Sequence, residues 1–321
     1  MLPLTLSLIA TLALACASLF IGVADASFSA LVFGAGDSSA TQVLLISRIP
    51  RTLALILAGS SLAIAGMLMQ MLVRNRFVEP STTGTTEAAT LGFLVVTLLA
   101  PGWPVMAKML VAAVFALMGT LLFLRILKFV PLRDVVMVPL VGLMLTGVIG
   151  AITTFIGYRF NLLASLLAWS MGDFSSLVRG RYELLWLGLF GTLAAYLAAN
   201  RFTLVGMGQE FTTNLGLNYQ RILFTGLVLV SLVAAVCLVT VGSIPFLGLI
   251  VPNIVSLLVG DNMRRSLPYV AIGGAAFVLA CDILGRLIRY PYEVPISVVV
   301  GVTGSGVFIW LLLKGARRNA F

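Results

Sequence analysis

The chain has 321 residues, of which 60% are hydrophobic and only 10% charged, with a mean hydropathy of +1.13 and a formal net charge of +9. Soluble domains carry about a quarter charged residues, so this composition excludes a water-soluble globule and implies a chain embedded in a membrane. No histidine is present and no G-x-x-x-x-G-K-S/T run occurs, which removes His-based zinc sites, Ser-His-Asp triads and a nucleotide-holding P-loop.

Ten apolar stretches follow one another, near residues 3–23, 52–73, 86–100, 104–124, 135–157, 184–200, 222–241, 245–259, 267–288 and 296–313. A bilayer core about 30 Å thick takes roughly 20 apolar residues per helix. Backbone groups in lipid must be satisfied internally, so the stretches are predicted as helices. The period-two alternation of a membrane barrel is absent. The expected fold class is therefore all-α: a polytopic membrane protein of about ten transmembrane helices forming a single domain over 1–321. The first stretch ends near Ala24-Asp25-Ala26, a small-residue run like a signal cleavage site. No Lys or Arg precedes it, so a retained first helix is expected. Cys16, Cys237 and Cys281 lie in apolar stretches and read as small buried hydrophobes. No disulfide framework, metal site or cofactor is expected.

Basic residues alternate between the gaps. One set holds Arg74, Arg76, Arg125, Lys128, Arg133, Arg201, Arg221, Arg264, Arg265, Lys314, Arg317 and Arg318; the other holds Arg48, Arg51, Arg159, Arg179, Arg181, Arg286 and Arg289. The positive-inside rule places the larger set, and both termini, in the cytoplasm. The outer set contains Arg and no Lys, and Arg makes bidentate contacts to carboxylates. Arg159, Arg179 and Arg181 read as headgroup anchors with stems along lipid. Arg48, Arg51 and Arg286 read as a docking surface for an acidic partner, with headgroup anchoring as the other reading.

In chain order, Ser47-Arg48-Ile49-Pro50-Arg51 opens the second span, with Pro50 in the first turn where its missing N–H costs nothing. Arg74 to Glu87 is rich in Pro, Gly and hydroxyls. It reads either as a plain turn or as a gate segment, since irregular backbone at membrane depth must be covered by protein or line a cavity. Asn200 to Asn218 is a polar stretch in which Gly206 and Gly208 make a break, residues 209–215 form a short helix and Gly216 stops it. It is either a solvated loop or a knob for a soluble partner. Val241 to Asn253 is punctuated by Pro245 and Pro252, with Gly248 allowing close helix approach; Gly301, Gly304 and Gly306 do the same in the last span. Among intramembrane ionisable residues, Asp282 is the strong candidate, with Lys108 at a helix end. Asp282 precedes Arg286 by four residues, the favourable order for a helical ion pair. A structural pair, a substrate-path role and proton coupling all remain open for it.

Taken together these segments resemble the permease subunit of the iron–siderophore and cobalamin ABC importers. The resemblance rests on Arg48-Ile49-Pro50-Arg51, Gln70, Arg74 through Pro80, Gly242 through Asn253, and Asp282, Arg286, Glu293, Pro295 and Gly301, from about residue 45 to 315. It implies a fold like the cobalamin importer permease, two permease subunits (the same or a related chain) around a central path, two cytoplasmic P-loop ATPases and a periplasmic binding protein. Lipid surrounds the assembly, and nucleic acid is not among the partners. By the same resemblance Arg48, Arg51 and Arg286 meet the binding protein. Residues 203–218 are the coupling helices, with Gly206, Gly208, Gln209, Glu210, Asn214, Leu215 and Gly216 as contacts. Asn75, Arg76 and Phe77, followed by Glu79 and Pro80, form the gate loop. Arg76 stands where the family usually has Pro, and Asn253 where it usually has His. The expected function is import of a ferric siderophore, of catecholate type, across a bacterial inner membrane, without an ATPase site in this chain. A cobalamin or haem permease of the same family, an ion-coupled secondary transporter and an intramembrane scaffold are the competing readings.

Overall fold

A computed structural model describes residues 4–21, 44–130, 136–175, 177, 182–290 and 292–318. The expectations for Ala24-Asp25-Ala26, Arg133, Arg179 and Arg181 lie outside these residues. Every regular element among the described residues is helical: α1 Leu4–Phe20, α2 Ile49–Val73, α3 Thr85–Leu99, α4 Val105–Leu127, α5 Met137–Arg159, α6 Leu163–Ser170, α7 Leu185–Leu197, α8 Ala199–Met207, α9 Gln209–Asn214, α10 Tyr219–Val241, α11 Leu247–Val259, α12 Met263–Ile288 and α13 Ile296–Arg318. A π-turn at Leu44–Arg48 leads into α2, and short 3-10 turns sit at Pro80–Thr83 and Tyr182–Leu184.

Five of the described segments are long and apolar enough to cross a bilayer alone, and α7 with its 3-10 turn joins α8 as a sixth, bent by 65°. The shorter apolar helices are α1, α3, α11 and the Ile296–Leu311 part of α13. Together they correspond to the ten predicted stretches. The helix α6 was not anticipated; it lies in the connection between two spans.

α2 is the central helix, packed against α12, α10, α11 and α7. Of its 25 residues, 18 are buried. Lipid tails are as apolar as leucine, so close packing rather than water exclusion holds such helices together, and small residues permit it. A Cβ on Gly59 would lie 2.7 Å from the Gly274 carbonyl of α12, and one on Gly66 would collide with the Gly248 backbone of α11. Of Gly301, Gly304 and Gly306 in the last span, Gly304 has such a role, facing Ile250 and Phe246; a Cβ on Gly301 or Gly306 would meet open space. α5 is the opposite case. It buries Val138, Gly142, Leu145, Ile149, Thr153 and Gly157, one stripe at helical spacing. Most of the remainder, including Met144, Val148 and Phe155, is exposed and apolar, as a lipid-facing surface requires.

α3 and α11 have 15 and 13 residues, about 20 Å at 1.5 Å per residue, too short for the full bilayer core. Both begin inside the bundle. Thr85 at the start of α3 bonds Thr120 of α4, and Gly248 at the start of α11 meets Gly66 of α2. Each of those partners lies about 10 Å from the end of its own helix.

Candidate functional site

At the end of the bundle where α2 begins, Arg48, Arg51 and Arg286 come together. Arg51 donates to Asp282 and to Glu293, at 2.7 Å each. Arg286 also pairs with Asp282. Two of the three arginines hold the end of α1. Arg286 donates to the carbonyls of Ser18 and Ile21 at 2.9 and 2.8 Å and to the Ser18 hydroxyl, while Arg48 donates to the Leu19 carbonyl at 2.7 Å. The last carbonyls of a helix lack intrahelical partners and carry its negative partial charge, so cations belong there. All three guanidinium groups are turned into the bundle: Arg48 and Arg286 are 7% and 6% exposed. Arg51 keeps a partner, Glu293, whose side chain is 30% exposed. Lys108 lies elsewhere, donating to the Pro101 carbonyl at a helix end.

The opposite end collects the residues expected to form the gate loop and the elbow. α2 stops at Arg74, which adopts the left-handed conformation at φ 56° and donates its N–H back to Met71. Asn75 then donates its N–H to Gln70 and accepts from the Phe77 N–H. Phe77 packs edge-on against Phe308 of α13. Arg76 reaches Asp261 in the α11–α12 connection at 2.6 Å.

α8 and α9 form the elbow. Gly206 lies within α8 rather than breaking it, packed against Met71, and the break falls at Gly208 alone. With φ 119° and ψ 165°, Gly208 occupies backbone space essentially closed to residues with a Cβ. Thr212, fully buried, ties α9 onto α8 through the carbonyls of Leu204 and Gly208. Gln209, Glu210, Asn214, Leu215 and Gly216 are exposed. An open concavity of about 990 Å³ runs along Arg74, Gly208, Gln209, Glu210, Phe211 and Asn214. A second cleft, about 390 Å³, joins Gln70, Asn75, Arg76, Gly206, Asn253 and Asp261. The loop after α2 and the α8–α9 elbow thus share continuous walls through Arg74 and Met207.

Glu79, taken from sequence as one more gate-loop residue, is 2% exposed and performs a different task. Its carboxylate accepts the Phe246 N–H at 2.9 Å and the Ser81 hydroxyl, and lies against the backbone at Gly248. The Phe246 amide lies at the start of α11, where a negative charge is favoured. A water-sized void of about 20 Å³ adjoins Glu79, Ser81 and Gly248. Asp282 is therefore joined by a second buried acid, which the resemblance assigns to the gate loop and whose contact with α11 was not expected. Its signal was present: a lone carboxylate between an asparagine turn and a Pro-Ser-Thr-Thr run. Among the described residues, no group of three His, Cys, Asp or Glu side chains is placed to hold a metal ion.

Residues 9–314 match the family described as the FecCD transport family. The petrobactin import system permease protein YclN of Bacillus subtilis (strain 168) is 47% identical over 96% of this chain and 96% of its own. The petrobactin import system permease protein FatD of Bacillus anthracis is 42% identical over 97% and 91%. The ferric-anguibactin transport system permease protein FatD of Vibrio anguillarum is 41% identical over 97% and 98%. A solved metal-chelate type ABC transporter in an inward-facing conformation superposes with a TM-score of 0.81 at 25% identity, covering 97% of this chain and 98% of that one.

Proposed function

This chain belongs to the FecCD transport family, and from that membership we propose how it works. It is a membrane-spanning permease subunit of an ABC importer for siderophores of catecholate type. The observation that carries this reading is similarity from end to end with permeases of petrobactin and anguibactin import.

The finer reading is as follows. Two permease subunits, this chain with a copy or a related chain, surround the path; two P-loop ATPases bind in the cytoplasm, and a periplasmic binding protein delivers the cargo. The Arg48, Arg51 and Arg286 end faces the periplasm, and both termini face the cytoplasm. Binding-protein carboxylates exchange with Glu293 on Arg51, whose partner is the accessible one; Arg48 and Arg286 must leave the α1 carbonyls to join them. On the other side, ATPase closure presses on the exposed face of α8–α9. Gly208 allows the elbow to bend there, and the shared wall passes the displacement to Asn75, Arg76 and Phe77. Glu79 makes the gate loop and α11 move as one body.

Proteoliposomes containing the permease pair, its ATPases and its binding protein test this. Uptake of ferric petrobactin or ferric anguibactin is expected only with ATP and all components present; uptake without the ATPases would overturn the reading in favour of ion coupling. Arg51→Glu is expected to weaken capture of the loaded binding protein, most at low salt. Unchanged capture would remove Arg51 from the docking surface.

A further inference from the structure

The two positions at which the sequence leaves the family pattern, Arg76 and Asn253, touch one another. The Asn253 side-chain amide donates to the Arg76 carbonyl at 2.8 Å and to the Leu249 carbonyl of its own helix at 2.7 Å. The Arg76 guanidinium in turn pairs with Asp261 at 2.6 Å, and Asp261 accepts from the Ser256 hydroxyl one turn below. Proline at position 76 would lack the guanidinium. The pair thus fastens the loop after α2 to the far end of α11, from above by charge and from below by an amide.

We infer that Arg76, Asn253 and Asp261 form a salt-sensitive latch that positions the gate loop against the α11–α12 connection. The inference rests on the gate reading above and adds Asp261 and Asn253 to it as positioning residues. The Arg76 and Asp261 side chains are 57% and 56% exposed, so the ion pair lies in water and is screened by salt. It is weak enough to open in each cycle. The Asn253 amide, bonded at once to the Arg76 and Leu249 carbonyls, keeps the loop in register while it does.

The test uses the assembled transporter with Val78→Cys, a fully buried position in the loop, labelled by a membrane-impermeant thiol reagent from the α8–α9 side. Asp261→Asn and Arg76→Ala are each expected to raise the labelling rate about two- to fivefold, the range open to an exposed pair. Combining them should add nothing further. The exchange of charges, Arg76→Asp with Asp261→Arg, should return the rate to within about twofold of the parent. Raising salt should speed labelling of the parent and leave the single variants unchanged. A parental rate in both singles, or a charge exchange as leaky as the singles, would overturn the latch. Siderophore uptake, measured in parallel, reads the gate itself: altered labelling with unaltered uptake would sustain the latch and refute the gate assignment.

Discussion

The two ends of the bundle solve the same problem, holding helix ends with charged residues, in opposite ways. Where α2 begins, Arg51, Asp282, Arg286 and Glu293 form one network, with the Asp282 side chain only 2% exposed. Where α2 ends, the described ion pair is the single contact of Arg76 with Asp261, more than half exposed on both sides. Removing one partner of a buried pair strands a charge away from water, whereas an exposed pair exchanges freely with solvent. The first end holds α1 through buried charges, so any rearrangement there carries a large cost. The second holds a glycine in backbone space closed to other residues, an αL arginine and a pair that solvent screens.

Substitutions at four positions probe this contrast, in order of expected size. Asp282→Ala should leave Arg51 without one partner and Arg286 without its acid, destabilising the fold by about 3–5 kcal/mol. Thermal unfolding of the purified protein in detergent measures this, and an unchanged Tm would mean the network is not structural. Gly208→Ala forces a Cβ into the elbow's backbone conformation at about 1–3 kcal/mol. Uptake should fall while ATP hydrolysis by the assembled complex continues; uptake at the parental rate would show that the elbow need not hold this shape. Glu79→Ala removes the cap of α11 at about 0.5–2 kcal/mol, and Glu79→Gln should cost less because an amide oxygen still accepts. Equal losses in the two variants would place the effect in charge rather than hydrogen bonding. Asp261→Asn should shift stability by less than about 1 kcal/mol, and a larger shift would erase the distinction between the ends.

Composition and hydropathy made the helix content legible, because a lipid-facing stripe such as that of α5 needs only apolar residues at every position. The glycine and proline punctuation located the elbow near 208 and the loop after Arg74. What the sequence could not display was long-range pairing. Arg48 and Arg286 stand out as members of the smaller basic set, yet their carbonyl partners on α1 lie 29 and 268 positions away. Glu79 sits in a polar run, and only the return of the chain at Phe246 shows that it is enclosed. Gly206 and Gly208 look alike in sequence; the packing of Met71 against one and the backbone angle of the other separate them.

The dependence of α1 on Arg286 has a consequence for biogenesis. Ribosomes add about 5–20 residues each second, so the last turn of α1 waits on the order of ten seconds or more for the guanidinium that completes it. Until then Arg48, made soon after, is its available cation. A nascent chain halted before α12 would leave that helix terminus half satisfied in lipid, a recognisable mark for quality-control proteases.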